Sequence, residues 1–213
     1  MNFAQLQAEV FRRIDESSAS PAYFSVADVK AAINDGYEEL ADAAEFHETH
    51  TTVKKLSHRT YYDMRAIPDH TFLRPSRCFN PTTNRWLEPV SVNDLDLRTY
   101  REWEGISVTE PEKMLMRGLW WWGVFPQAAE DGGFLRLYYI GIPAALTLDS
   151  DEPQFAKEFH AALVEYALYD LLAQDGETRL ALDHWGKFMG YEQALRDSMQ
   201  TRANLDLIRV IRG

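Results

Sequence analysis

The run WWWGVFPQAAEDGGFLRLYYIGIPAAL at residues 120–146 constrains this chain more than any other stretch, because it passes directly from β-prone sequence into a helical C-terminal third. Its two halves are β-prone and aromatic, Gly132-Gly133 marks a loop between them, and Pro143 closes the second half ahead of an acidic linker at residues 149–153. The pattern predicts a β-hairpin and then, over residues 154–173, a helix. A lone hairpin is marginal in water, so it has to pack on something. In the second half Leu135, Leu137 and Tyr139 share one face, and Phe134, Arg136, Tyr138 and Ile140 share the other. Both faces are largely apolar or aromatic, as in a strand buried between layers.

Helical periodicity is confined to the two ends of the chain. Phe3, Leu6, Val10 and Ile14 recur at helical spacing until SSASP at residues 17–21 stops the pattern. Ser25 is a good N-cap with Asp28 three residues on, and Val26, Val29, Ile33, Tyr37, Leu40 and Ala44 make one apolar stripe. These two helices are expected to form an antiparallel pair. Beyond Pro153, Phe155, Phe159, Leu163, Tyr166 and Tyr169 line one side, and Val164, Leu168, Leu171 and Leu172 another. A helix apolar most of the way round is a central one. Asp175-Gly176 breaks it, and Leu180, His184, Phe188, Tyr191, Leu195 and Met199 mark a last long helix packing back.

Between the ends, short β-prone pieces at 51–56, 60–64, 72–79, 85–90, 114–125 and 134–142 alternate with Pro, Asn and Asp turns. A short helix from Ser91 or Asn93 to about Trp103 interrupts them, and the polar stretch 104–113 reads as a mobile loop. The fold class expected is α+β: a helical bundle built from N- and C-terminal helices, with an inserted antiparallel β-domain. The partition is a helical pair at 1–48, a β-rich insertion at 49–146, further helices at 147–203 and a C-terminal arm at 204–213.

At 213 residues, 46% hydrophobic and 13% aromatic, the chain suits one domain or two small, closely packed ones, and wholesale disorder is excluded. No apolar stretch approaches the roughly 20 residues that span a bilayer, and MNFAQLQAEVFRR lacks a signal pattern, which predicts a protein used without secretion and without a membrane. Cys78 is alone, leaving neither an intrachain disulfide nor a cysteine cluster for zinc, and reads as a small packed residue in a β segment. The net charge of −11 argues against a grip on nucleic acid through its phosphates. An acidic surface repels DNA, which is useful where DNA must slide past without sticking.

The chemistry-bearing residues do not assemble into a reaction centre. His47 and His50, beside Glu45 and Glu48, sit at i and i+3 near a predicted helix end, without the i, i+4 spacing of a helical zinc motif. There is no GxSxG, phosphate loop or GxGxxG. The carboxylates of Glu38-Glu39, of Asp94 and Asp96, and of residues 149–152 read as a solvated helix face, a helix start and a linker. No catalytic residue, cofactor-binding residue or metal ligand is therefore assigned.

A competing reading is an enzyme acting on cell wall or polysaccharide, with paired carboxylates and with Trp120 and Trp122 as a sugar platform. A small α/β binding module of the host is a third. In a strand Trp120 and Trp122 point one way and Trp121 the other, so one side is expected in the core and the other in a subunit interface. Tyr61-Tyr62 and Tyr138-Tyr139 are two-faced in the same sense. At the C-terminus Leu207, Ile208 and Ile211 mix with Arg209 and Arg212. A solvated end has no use for such apolar residues, so the arm either folds back on its own subunit or orders on a neighbouring subunit or partner, its arginines meeting carboxylates.

Taken in order, the first helix and YFSVADVKAAINDGYEELA, then YYDMRAIPDHTFLRPSRCF, RWLEPVSVNDLD, LWWWGVFPQ with FLRLYYIGIPAAL, and DEPQFAKEFHAALVEYALYDLLAQDG with a last helix, resemble the head-to-tail adaptor proteins of tailed bacteriophages over nearly the whole chain. The resemblance implies a structural protein of the virion neck. It implies a homo-oligomeric ring, commonly a dodecamer, docking under the portal protein, extending the DNA channel without specific binding and presenting a surface to a tail or neck protein. It brings no catalytic residues. The triple Trp and residues 104–113 depart from the family pattern.

Overall fold

A computed structural model describes residues 1–15, 23–66, 72–99, 102–118 and 120–212, with the backbone alone at 98, 99, 102 and 202–212. The chain divides into two compact units, one of Met1–His47 with Ile142–Gly213 and the other of Glu48–Gly141.

The helical unit begins with α1 (Phe3–Arg13), where Asn2 and Gln5 form a reciprocal capping box. The following SSASP stop falls largely outside the described residues. Helix α2 (Val26–Ala44) starts on the expected box of Ser25 and Asp28. Its predicted stripe is the buried face, with Val29, Ile33, Tyr37, Leu40 and Ala44 in one core with Phe3, Leu6 and Val10 of α1. Within the β-unit, β1 is Glu48–Lys54, β2 Tyr61–Asp63, β3 Phe72–Asn80, β4 Arg85–Trp86 and β5 Glu88–Pro89. A short α3 (Val92–Thr99) follows, then β6 (Ser107–Val108), β7 (Lys113–Arg117), β8 (Trp121–Phe125), β9 (Gln127–Ala128) and β10 (Phe134–Gly141).

The chain returns to the helical unit at Ile142, where the Asn34 side chain brackets the backbone of Leu146, accepting from its N–H at 2.8 Å and donating to its carbonyl at 3.1 Å. Leu146 thus belongs to the helical core rather than to the β segment. The helix expected from residue 154 starts later, as α4 (Ala161–Gln174). Phe155 and Phe159 do fall on the helical period, but the Gln154 N–H donates to Tyr37 Oη at 2.9 Å and the Phe155 ring lies against Tyr37 and Phe46, which holds this stretch out of the helix. As expected, α4 is central and packs on α1, α2 and α5 (Thr178–Arg212). Gly36 permits the close approach of α2 to α4, since a Cβ there would lie 2.8 Å from the Tyr166 ring. The break before α5 is at Gly176, with φ of +85°. The α5 backbone then continues without interruption past Asn204, where the sequence reading separates an arm.

The β-unit holds two four-stranded sheets, ordered β1-β10-β3-β4 and β2-β8-β7-β5, and a two-stranded ladder of β6 and β9. The hairpin expected between residues 120 and 142 does not form. Strand β10 uses both of its edges, pairing antiparallel with β1 and with β3, so no edge is left for β8. The hairpin lies one strand earlier, where β7 pairs antiparallel with β8 from Lys113↔Phe125 to Arg117↔Trp121. Nor is β10 buried on both faces along its length: Leu135, Leu137 and Tyr139 point into the core while Phe134 and Arg136 face solvent, and of the second face only the end at Ile140 is buried. Residues 104–113 are structured, carrying β6 and a buried Pro111 and closing through Glu110 onto Lys55.

Candidate functional site

Strand alternation builds a solvent-facing surface on the sheet β1-β10-β3-β4 opposite its core face. Register places Thr52, Arg136, Phe79 and Trp86 in one row across the four strands, and His50, Tyr138 and Arg77 in the next. Trp86 sits on the short edge strand β4, 47% exposed, with its ring 5.1 Å from Phe79 and 5.4 Å from Tyr138. His50 lies 5.3 Å from Tyr138 on the other side. The Arg77 guanidinium stacks over both Trp86, at 4.6 Å, and Tyr138, at 5.1 Å. Glu48 fixes that guanidinium, accepting from Arg77 at 2.9 Å and from Ser76 Oγ at 2.8 Å. Phe134, 54% exposed, extends the surface along β10. Trp, Tyr and Arg are the side chains enriched at the energetic centres of protein interfaces, and here one arginine stacks on two exposed-face rings.

The tryptophan triplet divides differently from the alternation expected. Trp122 is 0% exposed in the core against Tyr62, whereas Trp121 and Trp120 are 40% and 43% exposed. Trp120 precedes the strand, so parity does not apply to it; its carbonyl accepts from the Met64 N–H at 2.8 Å. Trp120 and Trp122 therefore cannot form one platform. The backbone of Leu207, Ile208, Arg209, Ile211 and Arg212 is helical within α5, while their side chains lie outside the described residues. His47 and His50 share no helix face, because α2 ends at Ala44 and His50 belongs to β1. Among the described residues no group of three or more His, Cys, Asp or Glu is placed to hold a metal ion. Cys78 is buried in β3, and burial pushes its thiol up to about 12, far from a reactive thiolate.

Glu192 is buried on α5 and accepts from Arg196 at 3.0 Å, and two further carboxylates drawn inward are likewise held by cations. Glu165 on α4 accepts from Arg13 at 2.5 Å and from His184 at 2.7 Å. Burial alone would raise it, but the hydrogen bonds from His184 and Arg13 outweigh burial and keep it below the usual carboxylate range. Glu110 accepts from Lys55 at 2.6 Å and from Asn80 at 2.8 Å, and those bonds likewise overcome its desolvation. Neither can serve as a general acid near neutrality, which needs a carboxyl shifted the other way.

Trp86, Arg77 and Phe79 carry the surface, and sequence reasoning passed over them. Arg77 and Phe79 flank the buried Cys78, an alternation that pointed to an outward pair, while Trp86 required knowledge of the partner of β3. No helix of the described residues is long and apolar enough to cross a membrane.

Helices from both chain ends joined in one unit, an inserted β-unit and a sheet face of rings and arginines describe a chain whose chemistry lies in its surfaces. The family model described as SU10 adaptor protein matches residues 1–210, and the chain belongs to this family of phage head-to-tail adaptors. It is a bacteriophage structural protein and a virion component. No curated protein matches the chain.

Proposed function

We propose that this adaptor acts in the virion neck as a homo-oligomeric ring, a dodecamer, seated beneath the portal protein, where it prolongs the DNA channel and offers a docking surface to a tail or neck protein. The protein is made in the host cytoplasm and does no catalysis. The observation that carries the reading is the exposed aromatic and arginine face of β1-β10-β3-β4 in a chain of the adaptor family. A ring needs such surfaces on every subunit. The net charge of −11 supports passage of DNA without retention. Trp120 and Trp121 remain interface candidates through their exposure. The C-terminal stretch with Leu207, Ile208, Arg209, Ile211 and Arg212 acts as an arm that engages a neighbouring subunit or the portal.

Negative-stain imaging of the purified protein mixed with its portal tests this: a ring stacked on the portal is expected, and particles that keep the portal bare would refute it. Deleting the residues after Leu205 is expected to leave the melting temperature of the free protein nearly unchanged and to abolish incorporation into particles.

A further inference from the structure

We infer that the outward face of β1-β10-β3-β4 docks on the acidic face of α2 in a second copy of this chain. This rests on the ring reading above and names its subunit contact.

The sheet face is a basic island in an acidic protein. Across its rows stand Lys54, Arg74, Arg77 and Arg136, against the single carboxylate of Glu48, while the whole chain carries −11. The excess of negative charge therefore lies elsewhere on the molecule. The longest stretch without a lysine or arginine, residues 31–53, covers most of α2, and Asp35, Glu38 and Glu39 are exposed there on adjoining turns. The charge on α2 adds to the effect of burial on the neighbouring helix. Asp170 on α4 is raised by burial and then by the charge of Asp35, and Tyr166 is pushed up to about 12 by burial and then by Glu39, Asp170 and Asp35. A cationic partner surface would relieve that repulsion.

The two surfaces have the complementary makeup that an identical neighbour supplies. The sheet offers rings to be desolvated at the centre, with Arg136 and Lys54 beside them; α2 offers the exposed carboxylates of Asp35, Glu38 and Glu39, with no lysine or arginine of its own after Lys30. Because the two faces differ, the contact is head-to-tail, and repeating it closes a ring when the rotation per subunit allows. Complementary charge also suppresses the wrong pairings, sheet face on sheet face and helix face on helix face.

Charge reversal tests the contact, with sedimentation velocity of the full chain, alone and with the portal, as the readout. Arg136→Glu and Glu39→Lys should each weaken assembly about tenfold or more. The double variant, which restores an opposite-charge pair at every contact, should recover much of it. Equal melting temperatures keep misfolding out of the comparison. Assembly of the wild type should weaken as salt rises from about 0.05 M to about 0.5 M. If both single reversals assemble like the wild type, this contact is wrong although the ring stands. If the wild type stays monomeric with and without the portal, the ring reading itself fails. If the sheet face instead binds a DNA oligonucleotide, with binding lost in Arg136→Glu and Trp86→Ala while assembly is unaffected, the face belongs to nucleic acid and the inference is overturned.

Discussion

Lys55 and Glu110 form a closed pair inside the β-unit: the ammonium lies 2.6 Å from both carboxylate oxygens, and Lys55 is only 3% exposed. Asn80 donates to the same carboxylate, and Gly133 leaves room for the lysine stem, since a Cβ there would sit 2.8 Å from Lys55 Cε. The pair ties residues just after β1 to the polar stretch between β6 and β7.

Glu110→Ala leaves that ammonium buried without a counter-charge, and should destabilise the protein by roughly 2–3 kcal/mol in chemical denaturation. Glu112→Ala, at an exposed position of the same stretch, should stay within about 0.5 kcal/mol. Since Glu110 is held below its ordinary 4.5, its contribution is intact above that pH and is lost as the pH falls from there toward the folded-state value.

Two glycines in helices should respond with opposite sign. Gly36→Ala gains helix propensity of about 1 kcal/mol but drives a methyl into the Cβ and ring of Tyr166, all within 2.9 Å, and should lower stability by about 1–2 kcal/mol net. Gly190→Ala on α5 meets nothing within 4 Å and should raise it by about 0.5–1 kcal/mol. Thermal melts of the two variants beside the wild type decide both signs.

His160 should make stability depend on pH. It is buried, its Nε2 donates to the Phe155 carbonyl at 3.1 Å, and its Nδ1 lies 2.7 Å from the Met1 ammonium. Burial, with that ammonium, holds His160 below its ordinary 6.5, so the unfolded chain binds a proton where the folded one does not. Stability is therefore full above about pH 6.5 and falls as pH drops below it. His160→Gln should show a flatter melting profile across that window, and an unchanged slope would remove His160 as the cause.

The three adjacent tryptophans should separate cleanly. Trp122→Ala empties a fully buried site and should cost about 3–5 kcal/mol. Trp120→Ala and Trp121→Ala, both exposed, should stay within about 1 kcal/mol and act instead on assembly, read by incorporation into particles.

The helices were legible because their signals are local: the Ser25 and Asp28 box, the stripe ending at Ala44 and the turn at Gly176 all act within a few residues. Strand pairing was not, since Phe134–Gly141 chose β1 and β3 over the nearer β8, a competition between edges that no single stretch encodes. The same limit hid the sheet surface. Arg77 stacks on Trp86 only because β3 and β4 pair, and the register shift near Tyr138 and Tyr139 interrupts the simple alternation along β3. Periodicity also misled where Phe155 and Phe159 keep helical spacing outside any α-helix, Phe159 closing a single 3-10 turn in a stretch set by Tyr37 and His160.

Glu48, the first residue of the β-unit, is paired with Ile140, one residue from its last. The chain thus leaves the helical unit and comes back through a single doorway, with paired antiparallel residues about 5 Å apart at Cα. A module entered and left at neighbouring residues can be exchanged without cutting the helical core. Replacing residues 48–141 by a linker of a few residues should leave the helices folded, as far-ultraviolet circular dichroism would register. The inserted unit can therefore change in length or sequence without altering the path of the helical chain on either side of it.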